Sequence, residues 1–140
     1  MQLRPANFND WQHLLKWRND PIARLNSFDQ DIISEDIHKK WLKASLLNKQ
    51  RKILIMEDSS GVPIGTIRSD TNSQNEEELS WNISPDHRGK GLGGLMLSLF
   101  FKNTHGKFVA KIKKENIASI KIAESNGFAY SSPGVYIKTL

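Results

Sequence analysis

The stretch "SPDHRGKGLGG", residues 84–94, is the most informative part of this sequence for the fold. Four of its last six residues are glycine. It leads directly into "LMLSLFF", residues 95–101, and the apolar positions recur at the spacing of an amphipathic helix: Leu92, Leu95, Met96, Leu99 and Phe100. Glycines at a helix start let backbone amides converge on one point without interference from Cβ atoms, and the helix dipole adds positive potential there. The stretch therefore predicts a phosphate-binding loop at a helix N-terminus.

Other interpretations of the glycines are weaker. Gly89, Gly91 and Gly94 satisfy the G-x-G-x-x-G pattern of dinucleotide folds, but that fingerprint directly follows an apolar strand, whereas residues 84–88 intervene here. A flexible connector is the plain alternative, although the helix begins at once. Each N–H bonded to a charged oxygen contributes about 1.5–3 kcal/mol, so three or four amides could hold a diphosphate. Arg88 and Lys90 would add positive charge.

Length and composition limit the remaining possibilities. A chain of 140 residues predicts a single domain over residues 1–140. The lack of cysteine excludes disulfides and thiol nucleophiles, and the four histidines lack ligand spacing, so we expect no metal. The N-terminus does not resemble a signal peptide, and the longest apolar run, Leu92 to Phe101, is too short to span a membrane. We expect a soluble, cytoplasmic protein with no membrane partner.

The net charge of +5 is unevenly distributed. From His87 onward there are nine Lys or Arg residues against two acids, Glu115 and Glu124. The glycine stretch lies at the start of this basic part, which favours an anionic ligand over a merely solvated surface. Nucleic acid is not expected, because no helix-turn-helix or RNP-like motif is present and aromatics do not alternate with the lysines.

The pattern along the chain predicts an α/β (α+β) fold. We expect a mixed sheet of about six or seven strands with about four helices. Asn9-Asp10 is the predicted cap of the first helix, which Pro21 should end, and Ser34 should cap the second. Residues 51–70 are typical of a hairpin that turns at Asp58–Gly61. Strand 77–84 precedes the glycines, and Gly127 should close the last helix.

Two blocks of sequence carry a family resemblance. Arg88-Gly89-Lys90-Gly91-Leu92-Gly93 resembles the Arg/Gln-x-x-Gly-x-Gly/Ala motif of the GNAT superfamily of acetyl-CoA-dependent N-acetyltransferases. Asn116-x-x-Ser119, followed by Asn126-Gly127-Phe128, resembles a later helix of the same superfamily. The resemblance covers essentially the whole chain. It implies a single GNAT domain with acetyl-CoA as cosubstrate and no metal.

The resemblance also implies roles for particular residues. Ile83 and Ser84, at the end of the splayed strand, would pair with pantetheine, and Asn116 and Ser119 would lie beside the pantetheine arm; an ordinary helix cap is the other role of Asn116. The coenzyme A pyrophosphate would be bound by the backbone amides of Arg88, Gly89, Lys90, Gly91, Leu92, Gly93 and Gly94.

The implied mechanism is direct attack of a neutral amine on the thioester. An amide near Ile83 would stabilise the oxyanion, and Glu78 is the leading candidate for the base, with a solvent-facing role as its alternative. Glu77 or Ser80 could act through a water. Many members carry a tyrosine, acting as the acid, where this chain has Ala123. A thiolate with a parent pKa of about 8.5 can leave without full protonation.

The first helix bears on the acceptor. "LLKWRNDPIAR", residues 14–24, resembles GNAT enzymes that acetylate nucleotide-linked amino-deoxysugars for bacterial surface glycans. Trp17, Arg18 and Asn19 would then lie near the acceptor cleft, with Arg18 positioned to meet a phosphate. Alternatively, Trp17 is a core residue and Arg18 pairs with Asp20.

Two further functions stay open. One is protein N-terminal acetylation of the ribosomal-protein type, which shares the Asn116 block. The other is a non-catalytic coenzyme A sensor, which the missing tyrosine would favour. Tyr130 or Tyr136 could replace that tyrosine, but their spacing does not decide this, and the sequence leaves the oligomeric state open.

Overall fold

Strands and helices alternate along the chain, and the computed structural model describes all residues, Met1–Leu140. The strands are β1 (Gln2–Pro5), β2 (Arg51–Glu57), β3 (Pro63–Thr71), β4 (Glu77–Ile83), β5 (Lys107–Lys111), β6 (Ala129–Ser132) and β7 (Val135–Thr139). The helices are α1 (Trp11–Asn19), α2 (Pro21–Asn26), α3 (Glu35–Leu47), α4 (Leu92–Phe101) and α5 (Ile117–Ser125), with short 3₁₀ turns at Phe8–Asp10 and Pro85–His87.

One mixed sheet runs in the order β1-β2-β3-β4-β5-β7-β6. Neighbouring strands are antiparallel except β4 and β5, which are parallel. The glycine stretch and α4 form the crossover between those two parallel strands. This confirms the predicted α/β class and the mixed sheet.

The two faces of the sheet carry separate cores. On one face Ile53 and Ile55 of β2 pack with Leu14, Trp17 and Leu42 from α1 and α3. The larger core on the other face lies under α4 and α5 and includes the completely buried residues Met96, Leu97, Phe108 and Ala123. The sheet is therefore covered on both sides, as the alternation of side chains along each strand requires.

Most predicted helix ends are confirmed. The Ser34 hydroxyl accepts from the Ile37 amide at the start of α3, and Gly127 takes a left-handed φ of 87° after α5. Asp10 occupies the N-cap position of α1 as predicted, but its side chain makes no capping hydrogen bond to this helix. Asn7 caps the 3₁₀ turn before α1 in a capping box with Asp10, whose carboxylate also pairs with Arg4 at 2.7 Å.

A fifth helix, α2, was not predicted. Pro21 ends α1 as expected, but it then occupies the first turn of α2, where a missing N–H costs nothing. The Asp20 carboxylate caps the new helix by accepting from the amides of Ile22 and Ala23. The dipeptide Asp20-Pro21 therefore ends α1 and also starts α2. None of the helices combines the length and apolar character needed to cross a membrane.

Phe108 on β5 offers a test of the larger core. Its ring is completely buried and lies edge-on to Phe100 and Phe101, with centroids at 6.1 and 5.0 Å. Phe108→Ala should lower the free energy of unfolding by about 3–5 kcal/mol, because it leaves a cavity between β5 and α4. Urea denaturation measures the change. Leu47→Ala, at a side chain that is 85% exposed, should change the same quantity by less than about 0.5 kcal/mol.

Candidate active site

The site begins where β4 and β5 separate. Their parallel pairing covers only Glu77–Leu79 against Phe108–Ala110, while β4 stays paired with β3 as far as Ile83. The Ser84 amide donates to the Ile64 carbonyl at 2.9 Å. Because hydrogen-bonded residues alternate along an antiparallel ladder, the N–H and C=O of Ile83 point away from β3 and into the opening.

Ile83 and Ser84, the two strand-end residues predicted to pair with pantetheine, differ in which backbone groups they have free. The backbone of Ile83 offers a free donor and a free acceptor to the opening. The amide of Ser84 already donates a hydrogen bond within the sheet. Ser84 could therefore contact pantetheine only through a group other than its amide. An amide of an extended chain laid in the opening could donate to the Ile83 carbonyl, which leaves the Ile83 N–H free for another acceptor.

The glycine loop next to this opening has backbone amides without partners. Gly89 and Gly91 have φ values of 77° and 73°, and a Cβ on either would meet open space. No protein acceptor receives a hydrogen bond from any amide of residues 88–94. These unpaired donors lie at the positive end of α4, which begins at Leu92. The residues therefore fit a pyrophosphate without help from side chains.

Arg88 and Gly93 of the loop also contact other parts of the protein. The Arg88 guanidinium pairs with Asp20 at 2.8 Å, so its charge joins the loop to the start of α2. Gly93 is buried, and a Cβ there would approach Cδ1 of Ile122 to 2.5 Å, so this glycine allows α4 to lie close against α5. The loop thus needs glycine for conformation at two positions and for close packing at a third.

Asn116 caps α5, because its Oδ1 accepts from the Ser119 amide at 3.2 Å. Both residues line the same cavity as the glycine loop. Ala123, at the position of the family's tyrosine, is completely buried in the core, and neither Tyr130 nor Tyr136 lines the cavity. The tyrosines considered as substitutes therefore do not lie at the site.

One cavity of about 950 Å³ connects the loop, the strand opening and the inner faces of α1, α2 and α3. The predicted site residues that line it are Trp17, Arg18, Ser80, Ile83, Arg88, Gly89, Gly91, Leu92, Gly93, Asn116 and Ser119. The predicted residues that do not line it are Asn19, Glu78, Ser84, Lys90 and Gly94. The glycine loop and the space beside α1, α2 and α3 are thus parts of one continuous cavity.

Two residues predicted for the acceptor cleft have structural partners. Trp17 is 3% exposed and belongs to the core under α1, although one side of it reaches the cavity. Asn19 lies outside the cavity, because its side-chain amide bonds both the N–H and the C=O of Ile33, at 2.9 and 2.8 Å. Asn19 holds the segment between α2 and α3, and its role near the acceptor cleft stays a prediction. Arg18 does not pair with Asp20, whose partner is Arg88.

Glu78 lies on the face of β4 that carries Ser80 and Asn82. Its carboxylate pairs with Lys111 at 3.1 Å, and it lines a small side cavity that shares Ser80 with the large one. Glu77 projects from the opposite face and accepts a hydrogen bond from the Ser69 hydroxyl at 2.7 Å. Of the two glutamates, only Glu78 is near the acceptor region.

More basic than acidic side chains line the cavity. Five lining residues are basic and one is acidic: Arg18, Arg68, Arg88, Lys111, Lys121 and Asp29. Sequence reasoning missed Arg68, whose place follows from strand register, since it pairs with Ile53 on β2 and Ser80 on β4. The tryptophans Trp41 and Trp81 also line this space. No group of three or more potential metal ligands occurs in the chain.

Comparison with known proteins identifies the family. A family model described as an acetyltransferase (GNAT) domain matches residues 1–129. The chain belongs to the GNAT acetyltransferase family. It is an acetyl-CoA-dependent N-acetyltransferase domain, and the free amides of the loop suit its cosubstrate. No curated protein sequence matches the chain.

Solved structures share the fold at low identity. The aminoglycoside acetyltransferase AAC(6′)-Ib, in complex with ribostamycin and coenzyme A, superimposes with a TM-score of 0.84 at 16% identity, covering 99% of this chain and 92% of its own. Spermidine N-acetyltransferase from Vibrio cholerae, with coenzyme A and spermine, gives 0.83 at 19%, covering 98% and 91%. The acetyltransferase yncA of Salmonella typhimurium, described as putative and solved with acetyl-CoA, gives 0.79 at 24%, covering 100% and 94%.

Gly91→Val tests the loop. A β-branched residue is strained at a φ of 73°, so the loop should rearrange and its amides should no longer converge. We expect the dissociation constant of coenzyme A to rise at least tenfold, as measured by calorimetry. Gly61→Val is the matched control, because Gly61 has a φ of 80° with equally open surroundings in the distant β2–β3 turn. Equal affinity in the two variants would contradict the assignment.

Proposed function

We propose that this GNAT domain transfers the acetyl group of acetyl-CoA to the amine of a nucleotide-linked amino-deoxysugar, in the cytoplasm, for bacterial surface glycans. The observation that carries the proposal is the charge of the cavity, which five basic residues line against one acidic residue; Arg88 and Lys111 are paired, but Arg18 has no anionic partner and Arg68 shares its partner. A cavity of this sign attracts an acceptor that carries negative charge and repels a polycation. An amine joined to a nucleoside diphosphate meets that requirement.

The charge argues against the acceptors of the structural neighbours. Spermine is a polyamine and ribostamycin is an aminoglycoside, and both are cationic near neutral pH. Their binding would place positive charge beside Arg18, which has no anionic partner, and beside Arg68, which shares Asp70 with Arg51. Similar folds with different acceptors are expected when the acceptor is held by side chains that vary between relatives.

The proposed reaction is direct attack within the opening between β4 and β5. The amine nitrogen forms a bond to the thioester carbonyl carbon, and the carbon–sulfur bond then breaks to release coenzyme A as thiolate. The Ile83 N–H, which faces the opening, would donate to the oxyanion of the tetrahedral intermediate. This donor belongs to a rigid strand, so it needs no reorganisation during the reaction.

Glu78 is the proposed base. It lies on the acceptor face of β4, two residues from Ser80, which reaches the large cavity. A water between Ser80 and the Glu78 carboxylate would relay the proton from the attacking amine. The ion pair with Lys111 holds the carboxylate in place on this side of the sheet.

The acceptor is tested by thiol release from acetyl-CoA. The panel contains UDP-, dTDP- and GDP-linked amino sugars, the corresponding free amino sugars, spermine and peptides with free N-termini. We expect kcat/KM for a nucleotide-linked sugar to exceed that for its free sugar at least tenfold, because only the former supplies the anion. Equal rates for the two, or turnover confined to spermine or to peptides, would contradict the proposal. Coenzyme A binding without turnover of any acceptor would favour a sensor.

Glu78→Gln tests the base. The amide cannot accept a proton, so turnover should fall at least tenfold near neutral pH and recover partly at high pH, where more of the acceptor amine is already deprotonated. The pH dependence of kcat/KM measures this. Glu76→Gln is the control, since Glu76 pairs with Lys107 at 2.7 Å outside both cavities. A pH profile equal to that of the wild type would remove Glu78 as the base.

A further inference from the structure

Arg18 is a cation without a partner. Its side chain makes no hydrogen bond or ion pair with any group of the protein, and its Nη1 is enclosed with no acceptor. Arg18 lines the cavity from the C-terminal turn of α1. That turn is fixed to the sheet, because Asn82 Nδ2 on β4 donates to the Trp17 carbonyl at 3.1 Å. A guanidinium that is enclosed without a hydrogen-bond acceptor is energetically unfavourable unless a ligand provides an acceptor.

Arg68 reaches the same space from the sheet. Its Nε is also enclosed and finds no hydrogen-bond acceptor with suitable geometry, although the Asp70 carboxylate lies 3.2 Å away. That carboxylate already bonds Arg51 at 2.6 Å, so one anion is shared between two guanidinium groups. The charge of Arg68 is therefore only partly neutralised by the protein.

The two arginines act on each other. Burial lowers the pKa of the Arg68 guanidinium; Asp70 and Glu78 oppose this effect, while the charges of Arg51 and Arg18 reinforce it. Nearby Lys111 also lines the cavity but is paired with Glu78. The free form of the protein thus holds two neighbouring positive groups with too little negative charge between them.

We propose that Arg18 and Arg68 together bind the diphosphate of the acceptor, an assignment that rests on the proposed function. Each guanidinium can bond two oxygens of a phosphate in its own plane, which makes arginine well suited to this group. A diphosphate neutralises both side chains, whereas a single carboxylate leaves one of them uncompensated. Arg68 lies opposite Ser80 on β4, so the sugar joined to the diphosphate would extend along this strand toward Ile83.

The test uses protein saturated with coenzyme A, so that the pyrophosphate loop is already filled. UDP, dTDP and GDP are titrated into it by calorimetry, with glutarate as a carboxylate probe. We expect at least one nucleoside diphosphate to bind the wild type, and Arg18→Gln and Arg68→Gln each to weaken that binding at least tenfold. Coenzyme A affinity and the unfolding temperature are measured on the same samples and should stay within twofold and within a few degrees of the wild type.

Lys16→Gln is the matched control, because it removes one positive charge from an exposed position of α1 outside the cavity. It should leave the binding of the diphosphate unchanged. Arg18→Lys should restore only part of the affinity, since lysine keeps the charge but loses the planar fork. Loss of affinity in Lys16→Gln equal to that in Arg18→Gln would show a general effect of charge and would overturn the assignment.

The remaining outcomes are also decisive. No binding of any nucleoside diphosphate to the wild type, or equal binding to the arginine variants, overturns the diphosphate site; glutarate binding as tightly as UDP replaces it with a carboxylate site. Failure of the proposed function looks different. Diphosphate binding that depends on both arginines, without acetyl transfer to any nucleotide-linked sugar, keeps the binding site and removes the reaction.

Discussion

The separation of β4 from β5 after Leu79 is the constraint on which the rest of the site depends. Two parallel strands that stayed paired would use the backbone groups of Ile83 within the sheet. Gly65 on β3 helps to set the position of β4, because a Cβ there would lie 2.8 Å from Ile83 Cδ1 and 3.0 Å from Met96 Sδ. The close contact of Ile83 with β3 and α4 holds the end of β4 in place. The edge of β4 that faces β5 stays open there.

In the proposed function, the acetyl donor and the acceptor are recognised by different kinds of group. The donor would be bound by backbone amides, which depend on glycine at a few positions and on the start of α4. The acceptor would be bound by side chains from α1, β3 and β4, which can be replaced without changing the fold. Such a division would account for structures only 16–24% identical to this chain that share its fold while two of them are complexes with an aminoglycoside and a polyamine.

The same division explains how much the sequence could predict. The glycine loop, the Asn116 cap and the two faces of β4 follow from local spacing, and the structure has the loop conformation, the cap and the strand alternation expected. Arg68 was missed because its place beside Ser80 depends on the register of β3 against β4, which no local pattern contains. The bonds of Asn19 could not be predicted for a similar reason, since its partner, Ile33, lies fourteen residues further along the chain.

Arg88 joins the two halves of the site in a way that its motif does not suggest. Within the glycine loop its backbone belongs to the donor side, but its guanidinium holds Asp20, whose carboxylate also caps α2 over the acceptor space. The pKa of Asp20 is lowered despite its burial, because the Ala23 amide and Arg88 both stabilise the charged form. A carboxylate held by three donors ties the start of α2 to the loop, so a rearrangement of the loop also disturbs the wall of the acceptor cavity. The order of this wall therefore depends on the conformation of the glycine loop.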